Sequence, residues 1–592
     1  MHRFSPRASL IRWSIVVIMA AALAQRGGAA PSTQFTPPLA RLAGTHLLPT
    51  LDAAAKLHVE IELTPKDPSL DRFALAVGDP ASPDFHHFLT RDVFALRYGR
   101  PSADLDALAK MLRDNGADDV YISPNHLVVG GTLTITNAER AFQTKYATYQ
   151  DGQRIAVAPT TAITLPVGGI RMVRGIVTGF SPHLADTTVA ANTGAASDFR
   201  GAWYDPERFA SAYDTLDGAG AHIVLIEEAA DRYDPADLAL FLSSPGAPKG
   251  ASAANVHTTV VVDKPPENTV CERDDRGQEA TLDVDTILTI APQAHVEVRY
   301  DDLCTPGNDG SLAVQRAIDD PATNLLVFPF AIAPVLDNVA QDFGPTPIPY
   351  LEAAAIGVPV LVPAGDDGQY GTKLPGQTKP AVTYPCVLSV VICVGGTQLG
   401  ERRTGGPLDE GPWNDGLHAT GGGLSTEPRP SWQNAQSEFE LTPQEVKTRI
   451  VPDISADAAG HIRVYWHKYA SGGVGGTSES VAIAGAQIAA INAKLDGPKQ
   501  LIVPADLYLL AAKAPQAFRD ITRDNDRGLK DNNLRNPPKA LPLKYKGIIP
   551  TPEPIAYGCP EVGPRGCEVK QGFDAVTGIG SLLARPAYDA LK

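Results

Sequence analysis

The chain is short of several things, and each shortage narrows what it can be. Basic residues are outnumbered, 51 Lys and Arg against 67 Asp and Glu, for a formal charge of -16 at pH 7. Nucleic-acid binders usually carry a basic footprint, so this balance argues against that class. Cysteine is scarce, at six residues. No Cys-x-x-Cys or paired-histidine spacing occurs, so nothing points to zinc. No segment beyond the N-terminus is long and apolar enough to span a bilayer. None of the 13 histidines is followed by Gly-Thr, the segment a histidine-based serine protease would carry upstream of its nucleophile. Internal repeats are also missing.

What is present suits a large globular protein. At 592 residues and 43% hydrophobic, the chain is too long for one domain and has apolar content for two cores. Residues Met1 to about Ala24 read as a secretory signal. Arg3, Arg7 and Arg12 give the basic start, Trp13–Leu23 the apolar core, and Ala22-Leu-Ala24 the small-residue cleavage site. The alternative is an uncleaved anchor, for which the apolar run is short. A secreted or periplasmic protein is expected, with no membrane contact after signal removal. In an exported chain six cysteines suggest disulfides. Clustering favours Cys271 with Cys304, Cys386 with Cys393, and Cys559 with Cys567, although the formal pairings stay open.

The most informative stretch is Gly475-Gly476-Thr477-Ser478, followed by the small-residue run to Asn492. A glycine-rich turn entering a helix at a serine exposes a hydroxyl and aims a helix N-terminus at whatever reacts there. Such a hydroxyl needs a base. The helix expected over Gln278–Ile290 carries Glu279 and Asp283 four residues apart, on one face. Like charges at that spacing repel, so one tends to hold a proton. A bare Glu-x-x-x-Asp is ordinarily a solvated face. Here Leu282, Val284, Ile287, Leu288 and Ile290 leave little of the helix for solvent. A third acid, Asp366, follows the apolar run Val358–Val362 in Ala364-Gly-Asp-Asp-Gly368, where a buried parallel strand would deliver it to the sheet's C-terminal edge. Alone, Asp-Asp-Gly is a plain turn.

Taken together and in this order, these segments resemble the sedolisins, the serine-carboxyl peptidases of subtilisin-like fold. Further stretches are similar to the family: Ala419-Thr-Gly-Gly-Gly-Leu-Ser425 with Pro428-Arg-Pro-Ser-Trp-Gln433, Val451-Pro-Asp-Ile-Ser455, Phe518-Arg-Asp-Ile-Thr522, and Gly572-Phe-Asp-Ala-Val-Thr-Gly-Ile-Gly580. Gly78–Thr90, Arg97-Tyr-Gly99, Asn125–Thr132 and Ala138–Thr144 resemble the family's activation prodomain. The similarity covers most of the chain after about Thr45.

The resemblance implies that Ser478 is the nucleophile, Glu279 the general base, Asp283 its proton-sharing partner, and Asp366 a protonated donor to the oxyanion beside the N–H of Ser478. It implies one Ca2+ held by the carboxylates of Asp520 and Asp574 and the carbonyls of Ile521, Lys570 and Gly572, an oxygen shell of hard-cation type. Three departures stand out. The strand that usually reads Ser-x-Ser-x-Gly is Val327-Phe-Pro-Phe-Ala-Ile-Ala-Pro334; Glu479 puts a charge beside the nucleophile; and a Pro- and Asn-rich insertion runs over residues 524–557.

The expected architecture is α/β: a subtilisin-like, doubly wound parallel sheet preceded by an α+β prodomain. Expected divisions are a signal over 1–24, a linker over 25–44, the activation prodomain over 45–184, a cleavable sheet-less linker over 185–200, and the peptidase domain over 201–592. In the prodomain, helices are expected at Ala103–Asn115 and Asn137–Phe142 and strands at His58–Leu63 and Leu127–Ile135. The expected function is that of a monomeric, acid-acting endopeptidase made as a self-processing zymogen. Its partners would be polypeptide substrates and its own prodomain as inhibitor. An exported pseudo-peptidase acting as a binding protein is the alternative. A subtilisin-type enzyme is disfavoured by the missing His-Gly-Thr.

Overall fold

A computed structural model describes residues 33–35, 46–48, 53–151, 154–174, 184–185, 204–262, 277–303, 310–332, 347–372, 380–401, 408–414, 418–435, 446–471, 475–522, 569 and 571–592. The expected signal, the 524–557 insertion, Lys570 and four of the cysteines (271, 304, 559 and 567) lie outside them. The Cys386–Cys393 disulfide is formed as expected. Among the described residues, no helix is long and apolar enough to cross a membrane.

The first unit is a four-stranded antiparallel sheet in the order Asp118–Ile122, Val128–Thr134, Lys56–Leu63, Ile170–Arg174. Helices Ser102–Asp114 and Ile135–Phe142 pack on it, with Leu57, Val59, Ile61, Leu108, Leu112 and Phe142 in a common core. The helix and strand expectations for this region therefore hold to within a few residues. The expected N-terminal linker does not stay apart. Thr33–Phe35 pairs antiparallel with Ile163–Leu165, and His46–Leu48 with residues 148–150. Adding a strand to a sheet edge needs only backbone N–H and C=O groups, so composition gave little warning of it.

The second unit is built on an eight-stranded sheet. Its order is Val256–Val260, His295–Asp301, His222–Glu228, Leu326–Val327, Val360–Pro363, Ile392–Glu401, then Leu408–Pro412, with Ile454–Asp457 also paired to Ile392–Glu401. All pairings are parallel except that of Leu408–Pro412. Both faces are covered, which explains the uninterrupted apolar strands. In His222–Glu228, Ile223 and Leu225 pack with the helices Gln278–Ile290 and Thr477–Asn492. Val224 and Ile226 pack on the opposite side with Val314, Ala317 and Tyr350. Gly485 lets the helix Thr477–Asn492 lie close on the sheet, since a Cβ there would stand 2.5 Å from Val327 Cγ2. This doubly covered parallel sheet is the expected fold class.

The two units share an interface. Phe73, Val77, Phe94, Leu127 and Val128 of the first pack with Leu312, Leu351, Ala354 and Ala355 of the second. Buried among them is a polar cluster. The Tyr121 hydroxyl donates to Asp319 at 2.5 Å and the Ser123 hydroxyl at 2.8 Å. Asn125 Nδ2 donates to Glu352 at 2.6 Å, and Gln315 bridges the two acids at 3.0 and 2.7 Å. Burial pushes Glu352 up to about 8.

The chain leaving the first unit also touches the second. Leu184–Ala185 runs antiparallel to Ala331–Ile332, pairing Leu184 with Ile332 and Ala185 with Ala331. This corrects the expectation of a sheet-less linker from residue 185, because the backbone edge of 331–332 accepts any extended neighbour.

Removing Asn125 should loosen the interface, because the Glu352 carboxyl then loses a donor in a buried place. Asn125→Ala in a full-length Ser478→Ala chain should cost about 1–3 kcal/mol of docking and lower the first thermal transition. A transition unchanged within error would show that the cluster does not hold the units together.

Candidate active site

The helix Gln278–Ile290 is buried along its whole length. Its N-terminus is capped from a distance rather than by its own N-cap residue, Gly277. Gly277 adopts φ 83°, and a Cβ there would stand 2.6 Å from the carbonyl oxygen of Arg232. The Asp231 carboxylate accepts the N–H of Gly277, of Glu279 at 3.1 Å and of Ala280 at 3.3 Å. A carboxylate at that end satisfies orphan amides and complements the helix dipole.

This cap points Glu279 and Asp283 into a dry space, where they are 3% and 0% exposed. Glu227, at the carboxyl end of the strand His222–Glu228, joins them. Burial comes first in raising all three carboxyls well above their usual range. Asp283, Glu227 and Asp231 then push Glu279 further up. Two influences act the other way: the Ser478 hydroxyl on Glu279, and Glu227 on Asp283. These contacts are looser than full hydrogen bonds, for Ser478 Oγ and both carboxyls lack a partner of standard geometry among the described residues. Catalytic contacts in a resting site are often loose in this way. Three carboxyls in one apolar space cannot all ionise, so they titrate as a group.

Ser478 lies in the first turn of the helix Thr477–Asn492 and is fully buried. The small-residue run is expected to be helical over Ser480–Leu495; the helix starts three residues earlier, at Thr477. The expected exposed hydroxyl is thus enclosed, with the acid cluster on the side of the other helix. Both helices pack on the same sheet face.

Asp366 follows the strand Val360–Pro363 and is 6% exposed. Thr477 fixes it. The Thr477 N–H donates to Asp366 Oδ1 at 2.9 Å and its hydroxyl at 2.8 Å, while Gly365 N–H donates to that hydroxyl at 3.1 Å. The third acid is therefore tied to the residue before the serine. The Gly-Gly-Gly segment supports it: Ala419 N–H donates to the Asp366 carbonyl at 2.8 Å and Gly421 N–H to that of Gly365 at 2.6 Å. Any side chain on Gly421 would collide with the carbonyl of Ala364.

The structure thus brings Ser478, Glu279, Asp283 and Asp366 to the carboxyl ends of the parallel strands. Sequence reasoning missed Glu227, Asp231 and Thr477. Glu227 was within reach, since it directly follows His222–Ile226, a run that reads as a strand in the sequence. Thr477 stood in the quoted motif without a role. Asp231 carried no signal, because the N-cap of its partner helix, Gly277, lies 46 residues further on.

The expected cation ligands lie at the other end of the chain. Gly572 N–H donates to Asp520 Oδ2 at 2.9 Å, which brings the two segments together. Asp574 Oδ1 accepts the N–H groups of Val576 and Thr577 at 2.9 and 2.7 Å, and Ile521 is buried between them with Val569 and Val576. Among the described residues, no three His, Cys, Asp or Glu side chains gather to hold a metal. A cation here would take two carboxylates and otherwise backbone carbonyls, which fits the expected donor set.

The pattern described as "Pro-kumamolisin, activation domain" matches residues 43–180. Sedolisin from Pseudomonas sp. (strain 101) is 27% identical over 457 residues, covering 73% of this chain and 75% of that protein. Kumamolisin from Bacillus sp. (strain MN-32) is 28% identical over 465 residues, covering 74% and 80%. The chain is similar to the sedolisin family over most of its length. Its relatives are serine-carboxyl peptidases, and residues 43–180 match their activation domain. Xanthomonalisin from Xanthomonas sp. (strain T-22) is 26% identical over 467 residues, covering 69% of this chain and 54% of that protein. The solved structure of Pseudomonas sedolisin, a serine-carboxyl proteinase complexed with pseudo-iodotyrostatin, aligns over 66% of this chain and 97% of its own at 23% identity, with a TM-score of 0.48.

The buried acids make stability depend on pH. Glu228 is pushed up to about 8 by burial and by Asp302, and Asp319 to about 6 by burial. Their usual values are 4.5 and 3.8. A raised folded value means the folded chain holds protons that the unfolded chain has released. The stability gained is full below the unfolded value and lost as pH rises through the folded one. Asp217, drawn low by its bond to Lys494, acts oppositely but is half-exposed. The Ser478→Ala chain should therefore melt at rising temperature as pH falls from about 8 to about 5. A melting temperature that peaks at the alkaline end would contradict this.

Proposed function

We propose that this sedolisin-family chain is an exported endopeptidase that works in acid, with Ser478 as nucleophile and Glu279 as its base. The observation that carries the reading is the Ser478 hydroxyl at a helix N-terminus facing a buried, proton-sharing carboxyl pair. Ser478 attacks the peptide carbonyl as its proton passes to Glu279, which later returns it to the leaving amine. Asp283 holds Glu279 in place and shares the proton that it takes up, and Glu227 behind it extends the same proton-sharing group. Asp366, pinned on one oxygen by Thr477, donates from its protonated carboxyl to the oxyanion, together with the Ser478 N–H. Only a neutral carboxylic acid can donate in this way. The site therefore needs burial or acid, and a carboxylate base is matched to acid where a histidine base would be matched to neutrality.

The chain around Leu184–Ala185, laid along the edge 331–332, supports an uncut zymogen whose exit strand occupies a substrate-like place. The antiparallel pairing uses only backbone groups, so losing the usual serines of that strand leaves this mode of binding intact. The signal-like Met1–Ala24 supports a secreted or periplasmic enzyme. A monomer acting on unfolded polypeptides, and divisions at 45–184 for the activation domain and 201–592 for the peptidase, complete the reading.

The decisive measurement is kcat/KM on denatured protein against pH. The wild type should gain activity as pH falls from 7 to about 4 and lose it again in stronger acid, as Glu279 ceases to accept a proton. Ser478→Ala should neither hydrolyse substrate nor remove its own prodomain. Glu279→Gln should lose nearly all activity, while Asp366→Asn should keep some and hold it to higher pH. A maximum near pH 8, or a fully active Glu279→Gln, would overturn the carboxylate reading. No hydrolysis at any pH would leave an exported binding protein.

The reading includes one Ca2+ at Asp520 and Asp574, with the carbonyls of Ile521, Lys570 and Gly572. Such an ion binds only the native state and stabilises by mass action. Chelator should lower the melting temperature of the wild type and have little effect on Asp574→Ala. A wild type indifferent to chelator would remove the site.

A further inference from the structure

The residue after the nucleophile is Glu479, which the sequence places as a charge beside the reaction centre. The structure turns it away from the sheet edge and into the protein, where it is 0% exposed. Its Oε2 accepts the N–H of Gly460 at 3.0 Å, and the N–H of Ile462 lies close enough to favour the carboxylate without standard hydrogen-bond geometry. We infer that Glu479 is a positioning residue, tying the first turn of the nucleophile helix to the loop 457–462 and so setting where the Ser478 hydroxyl stands. This rests on the reading of Ser478 as nucleophile.

The loop is suited to be a fixed post. Ala458 N–H donates to the Thr397 carbonyl at 2.8 Å, and the His461 carbonyl accepts Tyr204 N–H at 2.7 Å. Asp457 accepts the Leu399 N–H at 2.8 Å and pairs with His461 Nδ1 at 2.9 Å. The same loop presses on the turn that precedes the serine. A Cβ on Gly475 would stand 2.5 Å from the Ala458 carbonyl oxygen and closer still to Gly460 N. The Gly-Gly-Thr-Ser turn is thus held by one loop at both ends: by close packing at Gly475 and by a hydrogen bond at Glu479. Between them, Thr477 is clamped to Asp366. If Glu479 is shortened, the buried Gly460 amide loses its acceptor and the helix start loses its tie.

The charged groups facing Glu479 are Asp457 from the strand Ile454–Asp457 and Asp283 from the carboxylate helix. Charge and reach can therefore be separated. Glu479→Gln keeps an oxygen at the same distance and removes the charge. Glu479→Asp keeps the charge and withdraws the oxygen by one methylene. If position is what matters, Gln should keep kcat within about threefold of wild type, while Asp should lose about 30- to 100-fold in kcat with KM nearly unchanged, the scale expected for a misplaced reacting group. Gly475→Ala, which wedges the loop from its other end, should show the same kcat-only loss.

Melting curves of each variant establish that it is folded at the assay pH. An active Asp variant with an inactive Gln variant would overturn the inference in favour of charge. Equal kcat in both would overturn it outright. A wild type that hydrolyses nothing would instead remove the peptidase reading, so the two failures are distinguishable.

Discussion

Keeping carboxyl groups away from water is the constraint on which this molecule depends. Glu227, Glu279 and Asp283 sit where an ionised carboxylate is poorly solvated, and burial dominates the rise in proton affinity of each. A protein that places carboxyls in such a space gives up stability when every group ionises. It gains groups whose proton affinity is set by their surroundings rather than by bulk water. The nearby capping carboxylate, Asp231, shows how finely the placement is divided. Bonded to helix amides, it orders the helix start and raises the proton affinity of its neighbours with the same charge.

The backbone architecture is arranged around this chemistry. Parallel strands end on one edge, and each contributes at its end: Glu227 after one strand, Asp366 after another. The two helices bearing the pair and the serine lie side by side on one face. The glycines of the family motifs serve close approach. Gly421 lets the 419–423 segment lie on Ala364, and Gly475 lets the loop 457–462 lie on the nucleophile turn. In these segments the backbone itself fills the space that a side chain would take.

Much of this was legible in the sequence, and the parts that were not share a cause. The carboxylate helix Gln278–Ile290 and the strand before Asp366 could be read because an apolar pattern and a local acid coincide within one element. The helix that carries Ser478 was readable for the same reason, but its start was placed late because Thr477 and Ser478 do not look helical until their partners are known. Glu227 and Asp231 act on a helix about fifty residues away, and no local pattern encodes such a meeting. Glu479 looked like a charge aimed at the reaction because sequence gives adjacency but not side-chain direction. The pairing of Leu184–Ala185 with 331–332 was unreadable because it uses only backbone, which every residue supplies.

That short pairing also bears on how the molecule behaves as a population. While the chain is continuous, the segment at 184–185 is tethered to its edge, and its effective concentration there is on the order of millimolar whatever the dilution of the protein. One cut in the following residues would turn a fixed neighbour into a diffusing one. Occupancy of the edge would then depend on how many molecules share the solution. A dilute sample would free its edges while a crowded one kept refilling them with severed tails. A single peptide bond therefore separates a state indifferent to concentration from one governed by it.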